Sequence, residues 1–210
     1  RDDGLLYGPG AMPFSELPFA VELPDSLPPI SCLDLEGLSA VGKKSLVKTF
    51  EELCALINEL MDFSGSFVPQ EKMVEFIATW IFSTYLAPDL HVSSSLWITG
   101  PPGSGKSKLL EIISAFSYLG VTVSAHTTTA ALRDLASLGG TVCWDEAEVF
   151  TSEQPRLDPE KQGILLAGLR KETAFAALRE PDRRKGWVTR YVPVFCFKAF
   201  TAVKKPKEPL

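Results

Sequence analysis

The chain has 210 residues, 45% of them hydrophobic and 22% charged, with a formal net charge of −5. That length suits one substantial α/β core with a small appendage, and the acidic balance argues against wholesale coating of nucleic acid while leaving room for a local basic patch. Cys32, Cys54, Cys143 and Cys196 form no C-x-x-C pair and have no histidine at metal spacing, which excludes a zinc site or disulfide framework as the expected scaffold. The most apolar run, Met73 to Leu86, is interrupted by Glu75 and is too short to cross a bilayer. The expected setting is cytoplasmic, with reduced thiols and no membrane partner.

Residues 1–42 read as a proline-rich arm or linker. Either it lies extended against a neighbour through Phe14, Leu17, Phe19, Val21 and Leu23, or it is a disordered tail. Residues 43–90 read as an N-terminal helical segment. Apolar positions from Leu46 to Leu60 recur at helical spacing within Lys44–Met61, and a second helix runs from Gln70 to Leu86 between Pro69 and Pro88. That second helix is apolar nearly all round, so burial on more than one face is expected. Residues 91–210 read as an α/β core. A strand at Leu96–Ile98 precedes a helix over Lys108–Leu119, then a strand at Val121–Ala125 and a helix at Thr127–Leu138 with threonines available to cap it. Thr141–Trp144 is an apolar strand, Asp158–Lys171 fits a helix, and Thr173–Leu178 and Trp187–Tyr191 form two strands joined by a polar turn. Val192–Phe197 continues into a further strand. Strands alternating with helices imply right-handed crossovers and a mainly parallel sheet flanked by helices. The chain opens on Arg1 and stops amid Lys204-Lys205-Pro206-Lys207, so the expectation is a piece of a longer protein with its core truncated at the C-terminus.

Between the first core strand and its helix stands Gly100-Pro101-Pro102-Gly103-Ser104-Gly105-Lys106-Ser107, the spacing G-x-x-x-x-G-K-S of a Walker A phosphate loop. The glycines let backbone N–H groups approach a polyphosphate, Lys106 reaches the β- and γ-phosphates, and the Ser107 hydroxyl ligates Mg²⁺. The helix N-terminus adds about half a positive charge. Residues 100–107 together with Lys108 are therefore the expected ATP-binding set. Val142-Cys143-Trp144-Asp145-Glu146 matches the second half of such a site. Asp145 would hold Mg²⁺ through a water, and Glu146 would deprotonate the attacking water, with Glu148 a weaker competitor.

These motifs resemble the P-loop ATPases of the AAA+ (ASCE-like) and superfamily III helicase group. Phe76-Ile-Ala-Thr-Trp80, Ser83-Thr84-Tyr85, Thr129-Ala-Ala-Leu-Arg133 and Gly163-Ile-Leu-Leu-Ala-Gly-Leu-Arg170 are similar to the ATPase domains of phage- and plasmid-type primase-helicases. The resemblance covers Glu71 to Leu210 and implies a virus- or plasmid-encoded ATP-hydrolysing motor acting in a host cytoplasm. It also implies a homo-oligomeric ring such as a hexamer, with ATP between neighbours and DNA through the pore. It calls for a polar sensor residue at the end of the fourth core strand, usually Asn. Here Lys198 or Thr201 stands near that position, and Lys198 joins Lys106 and Glu146 as an expected catalytic residue. Arg170 and Arg190 are candidates for an arginine that reaches a neighbouring subunit. In similar helicases a hairpin before the sensor grips the DNA backbone. Glu180-Pro-Asp-Arg183-Arg184-Lys185-Gly186 would place Arg183, Arg184 and Lys185 at such a tip or, equally, in a solvated turn. A different class stays open, a regulatory ATPase switch that governs assembly with a protein partner and does not touch nucleic acid.

Overall fold

The computed structural model describes residues 46–124, 126–150, 159–182 and 186–204, so the arm expected over residues 1–42 lies outside the described residues. Two helices lead, α1 (Leu46–Leu60) and α2 (Gln70–Thr84). Then β1 (Ser95–Thr99), α3 (Lys106–Phe116), β2 (Gly120–Val123), α4 (Thr129–Ser137) and β3 (Thr141–Trp144) alternate. A 3-10 turn (Ala147–Phe150), α5 (Pro159–Ala167), β4 (Phe175–Asp182), β5 (Gly186–Pro193) and β6 (Phe197–Ala202) follow. No helix among the described residues is long and apolar enough to cross a membrane.

β1, β6, β3 and β2, in that order, form a four-stranded parallel sheet. The last strand is thus inserted between the first and the third, with Thr99 opposite Ala202 and Trp144 opposite Phe200. All six residues of β6 are buried, as a central parallel strand covered on both faces requires. Its side chains alternate between two cores. Phe197 and Ala199 join Leu53 and Ile57 of α1, Ile77 and Ile81 of α2 and Ile113 of α3. Phe200 and Ala202 join Leu132 of α4, Trp144 of β3 and Ile164 of α5. An aromatic contact marks each side: Trp80 meets Phe197 edge-on at 5.7 Å, and Trp97 stacks on Phe200 at 4.6 Å.

The local signals act where the sequence places them. Pro69 caps α2 in an extended conformation, and the Thr128 hydroxyl accepts the Ala131 N–H at 3.2 Å to start α4. Gln70 closes the α1–α2 turn: its Oε1 accepts from the Phe63 N–H at 2.6 Å and its Nε2 donates to the Met61 carbonyl at 2.8 Å. α2 buries Val74, Ile77, Ala78, Trp80, Ile81 and Thr84 and leaves Phe76 54% exposed. The two late strands pair antiparallel, as consecutive strands joined by a turn should, and form a ribbon, β4–β5, separate from the parallel sheet. One expectation changes. The strand expected over Val192–Phe197 instead begins at Phe197. Pro193, which has no N–H to donate, ends the ribbon, and residues 194–196 carry the chain into the sheet.

α3 turns into β2 so tightly that a Cβ on Gly120 would stand 2.0 Å from the Ser114 carbonyl oxygen. Backbone cannot yield as a flexible side chain does. Gly120→Ala should therefore cost about 3 kcal/mol of stability, read as a lower urea midpoint with an unchanged slope.

Candidate functional site

Parallel strands all end on one edge of the sheet, and the candidate residues gather on that edge. β1 runs out into residues 100–105, which close onto the first turn of α3. Gly103 (φ 77°) and Gly105 (φ 82°) occupy the left-handed region that side chains rarely tolerate. α3 starts at Lys106, two residues earlier than expected, so Lys106, Ser107 and Lys108 all lie in its first turn. No side chain caps that turn, which leaves its N–H groups available to an anion. Pro101, Pro102, Gly103, Ser104, Ser107 and Lys108 are exposed. Lys106 curls back over the loop and donates to the carbonyls of Gly100 at 2.9 Å and Pro101 at 2.8 Å. The Met61 methyl group lies 3.4 Å from where a Cβ on Gly105 would stand, so the α1–α2 turn flanks the loop. No motif announces that contact in the sequence.

β3 delivers Asp145 and Glu146 to the same edge, beside the loop. Ser107 Oγ donates to Asp145 Oδ1 at 3.3 Å. β6 contributes Thr201, whose hydroxyl also donates to Asp145 Oδ1. The Glu146 N–H then divides between Asp145 Oδ1 at 3.1 Å and Thr201 Oγ1 at 3.0 Å. Glu146 has φ 57°, one of two non-glycine residues with positive φ among those described. For a residue with a Cβ this conformation costs about 1–2 kcal/mol, and the two hydrogen bonds to its N–H hold it there. Its side chain is left exposed. Glu148 is occupied differently, since its carboxylate accepts the Val203 N–H at 2.9 Å and ties the 3-10 turn to the end of β6.

Lys198 is not with this group. It lies at the start of β6, opposite Ser95 at the start of β1, and therefore at the far edge of the sheet from the loop. Its side chain is buried and its Nζ donates to the Cys196 carbonyl at 3.4 Å. Burial pushes its pKa below the ordinary lysine value, with the Cys196 thiol a smaller opposing influence. The place beside Asp145 belongs to Thr201. Because the unfolded chain binds more protons than the folded one between the two Lys198 pKa values, stability contributed by this group rises with pH through that window and is lost as pH falls. Lys198→Met should raise the urea midpoint at neutral pH and flatten the alkaline rise in stability.

Arg170 bridges Val92, three residues before β1, and Arg190 pairs with Glu180 at 3.8 Å; both are exposed. The bridge to Val92 sets Arg170 on the incoming side of β1, whereas the loop follows its outgoing end. Arg183, Arg184 and Lys185 lie outside the described residues. Among the described residues no group of three or more His, Cys, Asp or Glu gathers to hold a metal ion. Ser107 and Asp145 bring two oxygens together, which suits a cation that takes its remaining ligands from water and phosphate. No protein-family model matches the chain, and no curated protein is significantly similar to it.

Proposed function

We propose that the chain is a P-loop ATPase domain that binds Mg²⁺–ATP at Gly100–Lys108 and hydrolyses it, as the motor of a ring that acts on DNA. The observation that carries this reading is the convergence of Ser107, Asp145, Thr201 and Glu146 beside an uncapped, glycine-rich helix start. A phosphate loop alone serves many chemistries. The added Asp-Glu pair, held by a hydroxyl from the inserted strand β6, suits hydrolysis.

In this reading the loop N–H groups and the Lys106 ammonium cradle the β- and γ-phosphates. Lys106 moves from the Gly100 and Pro101 carbonyls to the phosphates when they arrive. Ser107 and Asp145 would hold Mg²⁺, which supplies neutralisation of phosphate charge when bound. The Glu146 carboxylate takes a proton from water as the water oxygen bonds to the γ-phosphorus. The bond to the ADP oxygen breaks, and ADP leaves with its electron pair. Thr201 positions this pair by bonding the Asp145 carboxylate and the Glu146 N–H together.

The test is steady-state ATPase activity of the purified chain with and without single-stranded DNA, at several protein concentrations. Turnover that rises with DNA and with protein concentration is the expected result for a ring motor. Turnover indifferent to DNA transfers the reading to an ATP-governed assembly switch, and no nucleotide binding at all overturns it.

A further inference from the structure

Three helix ends meet at the edge of the sheet opposite the phosphate loop, and they share an apolar face. α1 starts there, α2 ends there, and α3 ends there before its tight turn into β2. Phe50 meets Phe82 edge-on at 5.4 Å, which ties the start of α1 to the last turn of α2. Tyr85, one residue past α2, meets Tyr118 edge-on at 5.9 Å, and its hydroxyl donates to the Phe116 carbonyl at 3.0 Å. The Tyr118 N–H in turn donates to Thr84 Oγ1 at 2.9 Å. Around these fixed contacts Leu46 and Val47 are 77% and 65% exposed, Tyr85 and Leu86 52% and 55%, and Phe116 40%. Apolar side chains exposed singly need no explanation, whereas five large ones gathered on one surface mark a contact.

We propose that this face is the docking site for Phe19–Leu23 of the same chain. The described chain begins at Leu46, which is itself part of the face, so the residues that precede it enter from the patch. Their sequence holds a segment of matching character. Pro18 and Pro24 bracket Phe19-Ala20-Val21-Glu22-Leu23 and break any helix through it. In extended form Phe19, Val21 and Leu23 fall on one side across about 13 Å, with Ala20 and Glu22 on the other. Packed helices lie about 8–10 Å apart, so a strip of that length crosses from one helix end to the next. Tethering selects the chain's own arm over a neighbour's. Residues 24–45 make a link of 22 residues. A link of that length has an r.m.s. span of about 25 Å, and short links give effective concentrations on the order of millimolar, against which a second copy at micromolar concentration competes poorly. The docked arm lies at the far edge of the sheet from Lys106 and Asp145, so the proposal stands apart from the nucleotide reading.

Photocrosslinking on the full chain tests it. With benzoylphenylalanine in place of Phe19, irradiation should join position 19 to peptides that hold Val47, Leu86 or Phe116. In a mixture of nitrogen-15-labelled and unlabelled chains each crosslinked pair should carry one isotope, as a contact within one chain requires. Val47→Glu combined with Leu86→Glu should speed chymotryptic cleavage after Phe19 about tenfold, because a charge replaces each apolar contact and proteolysis samples the undocked arm. Val21→Glu alters no described residue and should cut the crosslink from position 19 to the face about tenfold, so the test survives even if the double variant fails to fold. Crosslinks that map to other surfaces, or a crosslink that Val21→Glu leaves at full yield, overturn the proposal. Pairs of mixed isotope assign the face to a second copy of the chain, which also overturns it, as does unchanged cleavage in a folded double variant.

Discussion

Glu146→Gln should reduce ATP turnover by about two to three orders of magnitude while nucleotide affinity stays within about twofold. A general base contributes typically 10²–10⁴-fold, and an amide of the same shape cannot take the proton. The substitution spares everything else at the position. Both hydrogen bonds from Glu146 are made by its backbone N–H, to Asp145 and Thr201, so the φ of 57° and the placement of Asp145 persist. Glu148→Gln is the informative control, because that carboxylate is already engaged with the Val203 N–H. It should change stability modestly and leave turnover largely intact. The reverse pattern, with turnover lost in Glu148→Gln and retained in Glu146→Gln, would assign the base to Glu148. Glu146→Gly adds a second readout. It relieves a left-handed backbone, so it should stabilise the fold while removing activity, the signature of strain kept for function.

Much of this edge of the sheet was legible because local rules act there. A glycine-rich run between an apolar strand and a helix needs no tertiary information, and Thr141–Trp144 followed by Asp145-Glu146 reads as a buried strand ending at a polar rim. The sequence leaves Lys198 and Thr201 as rivals for that edge for a reason of the same kind. Val192–Phe197 is apolar and β-branched enough to read as the strand itself, which puts Lys198 at its outgoing end. Pro193 closes the ribbon, and the ladder begins only at Phe197, where Lys198 is at the incoming end. A shift of a few residues along one strand thus carries a side chain from one edge of the sheet to the other, and of the two candidates only Thr201 reaches the edge beside Asp145. Nothing local announces the left-handed Glu146, because that conformation is imposed by two partners, one of them 55 residues away. The ribbon was readable as two strands, whereas the exposure of Trp187 and Tyr191 follows only from which face α4 and α5 cover.

Lys106→Ala should weaken ATP binding by at least about a hundredfold, measured by titration with a fluorescent analogue. Truncating one partner of a desolvated charge pair costs about 2–5 kcal/mol, and about 3 kcal/mol is already a hundredfold. The structure adds a reason for the upper part of that range. With Lys106 gone, the Gly100 and Pro101 carbonyls that it covers at 2.9 and 2.8 Å are left facing the incoming anion, so an attraction is replaced by a repulsion. Lys108 cannot take over. Two residues further along a helix turns the side chain about 200° away, and Lys108 is exposed to solvent. Lys108→Ala should therefore change affinity by less than about threefold. Lys106→Arg is the more searching variant, because it keeps the charge but exchanges a compact ammonium for a planar fork. The loop offers one position bounded by two carbonyls and the start of α3, and it suits a point donor. Retained binding in Lys106→Arg but not in Lys106→Ala would mean that charge alone is needed. Loss in both would mean that the geometry of the loop selects lysine. Full binding by Lys106→Ala would remove Gly100–Ser107 as the phosphate cradle, and with it the hydrolytic role of Glu146.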